Sequence, residues 1–123
     1  ISLGLVGSEM CIRDRVHREW RFARTVDGAV QQGVIDRLVV RTSVEGPVGA
    51  EVIDFKTDAV AAEDVAVHSR RYREQLEVYQ AVVAATLGLS LEAVSARLLY
   101  LEPDVSIRLE ANGSISESAS ARA

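Results

Sequence analysis

The chain has 123 residues and a formal net charge of −4, with 48% apolar and 26% charged residues. This length fits one domain or part of one, and the composition is that of an ordinary globular chain. The negative total gives no electrostatic argument for nucleic-acid binding, although a local basic groove can coexist with it. A single cysteine, Cys11, excludes an internal disulfide and a paired-cysteine metal site, and it fits a reducing compartment.

The first residues of the chain differ in character from the rest. The stretch SLGLVGSEMCIRDR, residues 2–15, resembles a peptide produced when sequencing-adapter DNA is translated. We therefore interpret residues 1–15 as a non-native segment and expect the native chain to be truncated upstream of Val16. The alternative is a native strand and turn.

Runs rich in β-branched and aromatic residues predict three strands, over residues 16–28, 29–44 and 51–57. In the first of these, Trp20 and Phe22 alternate with charged residues, and Asp27-Gly28 at its end is typical of a hairpin turn. Residues 45–50 contain Gly and Pro without periodicity, which predicts a loop or hairpin. The third strand is apolar on both faces at its start, as a central strand is.

Residues 58–68 predict a loop with a short helical turn. From Ser69 onwards, apolar residues three and four apart predict an amphipathic helix: Tyr72, Leu76, Tyr79, Val83 and Leu87. Ser69 is the predicted N-cap and Gly88 the predicted stop. Residues 89–94 predict a second, short helix.

The last part of the chain predicts a strand pair over 95–103 and 105–110, with Pro103-Asp104 in the turn. The tail 111–123 is small and polar, so we expect disorder there. Strands, a long helix and further strands together predict a mixed α/β core.

Acidic residues interrupt two apolar strands. Asp36 and Asp54 each follow two apolar β-branched residues, where a carboxylate is costly to bury unless it is paired or binds a cation. If the two lie together they repel, and Mg²⁺, which prefers oxygen ligands, relieves the repulsion.

Lys56 lies two residues after Asp54 and therefore on the same face of a strand. It is the only lysine among 14 basic residues. Lysine can orient or deprotonate a water and neutralise charge on a phosphate, whereas arginine stays protonated. The alternative is an exposed lysine that simply pairs with Asp54.

Gln75 and Tyr79 are neighbours on one helix face. They suit a phosphate or a metal-bound water; alternatively, Tyr79 belongs to the core with Gln75 at its edge. Three arginines stand at the start of this helix: Arg70, Arg71 and Arg73. They fit either phosphate contacts or a solvated face. His17 and His68 lack a second ligand at metal spacing, so we expect surface positions for both.

Three motifs follow one another along the chain: GVIDR (33–37), DFKT (54–57) and QLEVY (75–79). In order and spacing they resemble the nuclease domain of the PD-(D/E)XK superfamily, most closely the C-terminal nuclease of AddA/RecB-type (UvrD-like) helicase–exonucleases. Glu19 stands at the position of an acidic residue in the family's preceding strand. The resemblance implies an α/β, restriction-endonuclease-like core over residues 16–110, with a mixed central sheet flanked by helices and truncated at the N-terminus.

The resemblance also implies the roles of single residues. The catalytic set would be Asp36, Asp54 and Lys56. The metal, Mg²⁺ with Mn²⁺ as the substitute, would be bound by Asp36, Asp54 and the backbone carbonyl of Phe55. Residues that support the site and the DNA backbone would be Gln75, Tyr79, Arg37 and Thr57. A further metal ligand of the family, a histidine from an upstream helix, has no counterpart here because His17 is too close to GVIDR. An inactive fragment therefore stays an alternative.

The function implied is that of an Mg²⁺-dependent DNA exonuclease in double-strand-break repair and recombination. The implied partners are DNA, an ATP-binding helicase domain in the same full-length chain, and a second helicase–nuclease subunit. The implied location is the bacterial cytoplasm, at the nucleoid and without a membrane. Two alternatives are a nuclease-like fold kept as an inactive DNA-binding or structural module, and an α/β domain with coincidental motifs.

Overall fold

The structure, a computed structural model, describes residues 12–110 and 115–119. Its strands are β1 (Arg13–Val26), β2 (Ala29–Ser43), β3 (Gly46–Lys56), β4 (Val94–Tyr100), β5 (Val105–Leu109) and β6 (Ile115–Ala119). Two α-helices, α1 (Val65–Ser69) and α2 (Arg73–Leu87), lie between β3 and β4. Short 3₁₀ turns cover Ala62–Asp64, Arg70–Tyr72 and Leu91–Ala93.

The six strands form one mixed sheet in the order β1-β2-β3-β4-β5-β6. Strands β3 and β4 pair in parallel, and every other neighbouring pair is antiparallel. A parallel pair needs a crossover connection, which the segment containing α1 and α2 supplies. This mixed sheet is consistent with the predicted restriction-endonuclease-like fold. Of the flanking helices in that prediction, the described residues contain α1 and α2.

The predicted turns are confirmed where the backbone takes left-handed angles. Asp27 and Gly28 have φ of 50° and 80°, which a two-residue hairpin of the twisted type requires. Asp104, after Pro103, has φ of 57° in the turn between β4 and β5. The segment 45–50 is a hairpin rather than a long loop, because β3 already begins at Gly46.

The apolar stripe of α2 packs on β3 and β4. Leu76, Tyr79 and Val83 are buried, as the spacing predicts. Gln80 is also buried and ties the helix to the sheet, because its Nε2 donates to the carbonyls of Val94 at 3.1 Å and Leu109 at 3.2 Å.

The start of the long helix differs from the prediction. Helical turns begin at Ala62 and continue through α1, so Ser69 lies inside a helical segment rather than at an N-cap. Its hydroxyl donates to the carbonyl of Ala66 at 2.8 Å, a local bond that serine makes readily inside helices. The predicted stop is confirmed, since Gly88 has φ of 68° and its N–H bonds to the carbonyl of Ala84.

The disorder predicted for 111–123 is wrong for Ile115–Ala119, which form β6 and pair with β5. Without this pairing β5 would leave an open sheet edge, and the hydroxyls of Ser106 and Ser118 lie 3.0 Å apart across the pair. None of the helices that the structure describes is long and apolar enough to cross a membrane.

The non-native interpretation of 1–15 falls mostly on residues 1–11, which lie outside the described residues. Of the remainder, Arg13–Arg15 belong to β1 and pair with residues 40–42 of β2. The adapter interpretation stays a prediction.

Candidate active site

The β2–β3 ladder ends next to Asp36, the carboxylate of the first motif. Its last pair is Arg37 with Ile53. Beyond it, Asp36 Oδ2 accepts a hydrogen bond from the backbone N–H of Phe55 at 2.9 Å, in the place where a strand carbonyl would otherwise stand. On the other side, the β1–β2 ladder omits the pair of Glu19 and Asp36, and Glu19 has φ of 53°. The opening between strands therefore fixes the first motif's acid on the backbone of the second motif.

Asp54 and Lys56 share one face of β3, as their spacing predicts. Lys56 Nζ lies 2.8 Å from Asp54 Oδ2, and the two side chains are only 15% and 9% exposed. The pair is therefore not the exposed surface contact of the simpler interpretation. Apart from this ion pair, the buried Oδ2 of Asp54 has no hydrogen-bond partner among the described residues.

The surroundings of Asp54 disfavour its charge. Burial raises the pKa of Asp54 above its ordinary 3.8, and the close side-chain contact with Asp36 raises it further. Lys56 acts in the opposite direction, because its ammonium stabilises the carboxylate. Burial, more than the neighbouring acid, therefore outweighs the stabilising effect of Lys56 on the Asp54 carboxylate.

Tyr79, on α2, contacts the β2 strand close to Asp36 and Asp54. Its hydroxyl donates to the carbonyl of Val34 at 3.3 Å. Burial raises the pKa of Tyr79, and the charges of Asp54 and Asp36 raise it further. The phenol therefore stays neutral and links the helix to the GVIDR strand beside the carboxylates.

Gly33 makes room for the rings that support this corner. A Cβ at Gly33 would lie 3.0 Å from two ring atoms of Phe22 and 3.4 Å from Tyr79. Phe22 meets Tyr79 edge to face, with ring centroids 5.7 Å apart. The glycine of GVIDR thus permits a close approach of two aromatic side chains.

Replacing Gly33 by alanine is expected to destabilise the fold by about 1 kcal/mol, since the new methyl group displaces the Phe22 ring. The measurement is the free energy of unfolding from urea titration. Gly49→Ala is the matched control: its Cβ would meet only the carbonyl of Ala93, at 3.4 Å, and alanine also reduces the entropy lost on folding. Equal effects of both substitutions would contradict the packing role of Gly33.

Three other predicted site residues have surroundings that differ from those of the carboxylates. Gln75 is exposed on α2, and Thr57 is exposed just after β3. The guanidinium of Arg37 lies over the Phe55 ring, 4.8 Å from its centroid. Strand alternation places Phe55 on the face opposite Asp54 and Lys56. Among the described residues, these three side chains make no hydrogen bond or ion pair with the two acids.

Sequence reasoning missed the Tyr72 ring beside Lys56 and the His68 ring that packs on Tyr72. The Lys56 ammonium lies 3.7 Å from the ring centroid of Tyr72, a residue that the helical stripe had assigned only to the core. His68, for which we expected a surface position, has a side chain only 15% exposed and bonds to the Tyr100 hydroxyl at 2.7 Å. That expectation is wrong. No local pattern signals the contact, because the two residues are 32 positions apart.

Comparison with known families gives a match to the PD-(D/E)XK nuclease superfamily over residues 6–122. The match includes all three motifs. The chain belongs to the PD-(D/E)XK nuclease superfamily. A search of curated proteins found no match to this sequence.

PD-(D/E)XK nucleases generally use divalent metal ions, and the carboxylates of this PD-(D/E)XK domain suit such an ion. Asp54 Oδ2 is a buried acceptor whose one neighbour of opposite charge among the described residues is the Lys56 ammonium, and the Asp36 side chain is in contact with Asp54. Among the described residues no group of three His, Cys, Asp or Glu side chains is placed to hold a metal. Two carboxylates are still a sufficient protein contribution for Mg²⁺, which keeps several waters and takes oxygens from substrate phosphate.

Proposed function

We propose that this domain hydrolyses DNA phosphodiester bonds as a metal-dependent exonuclease. The observation that carries the proposal is the group of Asp36, Asp54 and Lys56, in which Asp54 is buried and the lysine ammonium lies 2.8 Å from Asp54 Oδ2. In a member of a nuclease superfamily, two adjacent acids and a cation beside them fit phosphoryl chemistry. The carboxylates suit a metal, and the ammonium suits negative charge on phosphorus.

The residues divide the chemistry between them. Asp36 and Asp54 would hold Mg²⁺, or Mn²⁺ in its place, with the Phe55 carbonyl as a further oxygen ligand. When bound, the ion supplies Lewis-acid stabilisation and makes water a better nucleophile. Lys56 orients the attacking water and stabilises the charge that develops on the phosphate oxygens. Tyr79 keeps the GVIDR strand in place through Val34.

The reaction is an in-line displacement. The oxygen of water forms a new bond to phosphorus while the ester P–O bond breaks. The water loses one proton to solvent, and the departing alkoxide gains one proton. The products are a phosphate monoester at one cleaved end and a free hydroxyl at the other.

The order and spacing of GVIDR, DFKT and QLEVY support a finer placement. We assign the domain to the AddA/RecB type, in which the nuclease works with an ATP-binding helicase domain of the same full-length chain and with a second helicase–nuclease subunit. Its task would be the processing of DNA ends in double-strand-break repair and recombination, in the bacterial cytoplasm at the nucleoid. The supporting roles of Gln75, Arg37 and Thr57 on the DNA backbone belong to the same proposal.

The test is cleavage of end-labelled linear DNA by the chain in Mg²⁺, Mn²⁺, Ca²⁺ or EDTA, with covalently closed circular DNA as the control substrate. We expect mononucleotides or short oligonucleotides from linear DNA in Mg²⁺ and Mn²⁺, none in EDTA, and intact circles. Circles cut as fast as linear DNA would identify an endonuclease instead. Binding of DNA without cleavage in any metal would support the alternative of an inactive DNA-binding module.

The same proposal has Arg70 and Arg71 contact the phosphates of the bound strand. Both are exposed, and Arg71 directly precedes Tyr72, whose ring covers Lys56. Replacing both arginines by alanine is expected to weaken DNA binding and to reduce the magnitude of the slope of log K against log salt by about 1 to 2. The reason is that fewer phosphate contacts release fewer counterions from the DNA on binding. The measurement is fluorescence anisotropy over a salt series.

Arg41→Ala is the matched control for this double substitution. Arg41 is also exposed but forms an ion pair with Asp14 at 3.6 Å, and it lies on β2 away from Lys56. We expect an unchanged salt slope for Arg41→Ala. A slope reduced equally by both would show general charge attraction rather than contacts at the site.

A further inference from the structure

The single lysine of the chain is held from two sides. Its ammonium lies 2.8 Å from Asp54 Oδ2 and 3.7 Å from the ring centroid of Tyr72. Tyr72 ends the 3₁₀ turn between α1 and α2. A cation over the face of an aromatic ring is attracted by the electron density of that face, most strongly where water is excluded. Tyr72 therefore sets the position from which the ammonium approaches Asp54.

His68 packs on Tyr72, with ring centroids 5.8 Å apart and the rings tilted by 51°. Both imidazole nitrogens have partners. Nδ1 lies 2.7 Å from the Tyr100 hydroxyl, and Nε2 lies 3.5 Å from Asp58 Oδ2. Because the phenol either donates or accepts and the carboxylate accepts, neutral and protonated imidazole are both accommodated in this position. The ring orientation of His68 is thus fixed at two points.

Tyr100 gives this arrangement a rigid base. It is fully buried and pairs with Lys56 itself in the parallel β3–β4 ladder. Burial, followed by Tyr72 and Asp58, raises the pKa of Tyr100 to about 12, against the influence of Arg71. Among the described residues, the side-chain partner of this neutral hydroxyl is His68. A continuous set of contacts therefore runs from the sheet through His68 to Tyr72 and Lys56.

We propose that His68 is a positioning residue of the active site: fastened by Asp58 and Tyr100, it holds the Tyr72 ring against Lys56 and so keeps the ammonium beside Asp54. This role rests on the proposed nuclease function for its effect on rate. The geometry of Lys56 that it predicts is independent of that function. None of the three motifs contains His68, Asp58 or Tyr100.

The direct test uses the fact that the chain has one lysine. Selective ¹³C-lysine labelling gives a single set of side-chain NMR signals, and a ring face so close to Nζ shifts the Hε protons upfield. We expect this shift in the parent chain and in Tyr72→Phe, which keeps the ring. We expect its loss in Tyr72→Leu and a large reduction in His68→Ala. His17→Ala, on β1, is the matched control and is expected to leave the shift at the parent value.

The kinetic test is a double-mutant cycle on DNA cleavage. Because a small misplacement of a reacting group costs much of its effect, Tyr72→Leu is expected to lower kcat about 10-fold and His68→Ala about 5-fold, with KM little changed. If His68 acts through Tyr72, the double variant is no slower than Tyr72→Leu alone. Independent, multiplicative losses would overturn the proposal.

Removing His68 alone leaves the buried Tyr100 hydroxyl without its partner, which threatens folding. The double variant His68→Leu/Tyr100→Phe removes both polar partners and keeps the volume filled, so it serves as the folded substitute. An unshifted Hε signal in the parent, or a parent-like shift in either His68 variant, would overturn the positioning role whether or not the chain cleaves DNA. A parent chain that shows the shift but cleaves nothing would contradict the nuclease function alone.

Discussion

Replacing Lys56 by alanine is expected to lower the rate of DNA cleavage by about 10²–10³-fold, the effect of removing one donor aimed at the charge of a transition state. Asp36 and Asp54 remain, so metal binding is expected to persist. The measurements are single-turnover cleavage rates and the metal-induced rise in Tm. Together they separate loss of the cation from loss of the metal site.

Lys56→Arg is expected to lower the rate of DNA cleavage almost as much as Lys56→Ala, although it keeps the positive charge. The space for the head group is bounded by Asp54 Oδ2 at 2.8 Å from Nζ and by the Tyr72 ring centroid at 3.7 Å. A planar guanidinium is larger than an ammonium and cannot release a proton at ordinary pH. This substitution therefore distinguishes a requirement for lysine from a requirement for any cation.

Arg97→Ala is the control for both Lys56 variants. Arg97 also forms a partly buried ion pair, 3.1 Å from Glu51, but strand alternation places it on the opposite face of the sheet. It should leave the cleavage rate unchanged. If Lys56→Ala cleaves as fast as Arg97→Ala, the proposed site is wrong.

Local patterns predicted the elements that depend on neighbours in sequence. Two-residue alternation placed Asp54 and Lys56 on one face, and the ion pair between them confirms it. Asp27-Gly28 and Gly88 required left-handed backbone angles, and both have them. These features follow from the chemistry of a few adjacent residues, so a single sequence is enough to predict them.

The errors occur where a contact joins distant parts of the chain. His68 looked isolated because its partner Tyr100 comes from β4, 32 residues later. For Gln75 and Tyr79 the helical spacing left two alternatives open, and the burial of Tyr79 with Gln75 exposed agrees with the core alternative. Small polar residues predicted disorder over Ile115–Ala119, yet this segment forms a strand that pairs with the edge of β5. Such pairings depend on tertiary packing rather than on propensity.

The opening of the sheet at Asp36 was also beyond sequence reasoning. The motif identified the acid, but not that it substitutes for a strand carbonyl by accepting from the N–H of Phe55. This bond brings the first and second motifs into contact and places two acids together. The fold therefore retains two adjacent acids, an arrangement that is unfavourable without a bound metal ion, as sites selected for function often do.

Asp36→Asn is accordingly expected to stabilise the metal-free protein by about 1 kcal/mol, or roughly 4 °C in Tm. The amide oxygen still accepts from the N–H of Phe55, while the repulsion of Asp54 disappears. Burial and Asp36 raise the pKa of Asp54 above 3.8, so the folded state keeps a proton that the unfolded chain releases. The free energy of unfolding therefore falls as pH rises from 3.8, the ordinary pKa, to the raised pKa of Asp54. The stability gained by Asp36→Asn should accordingly be larger at pH 7 than at pH 4.

The same substitution removes a proposed metal ligand, so Mg²⁺ should raise the Tm of the parent but not that of Asp36→Asn, and cleavage should be lost. Asp14→Asn is the matched control: Asp14 is an exposed aspartate that pairs with Arg41 at 3.6 Å, and such a pair contributes little. It should change neither the metal-free Tm nor the response to Mg²⁺. A metal-free Asp36→Asn variant less stable than the parent would show that the carboxylate is held for structure. In that case the adjacent acids would not be a metal site.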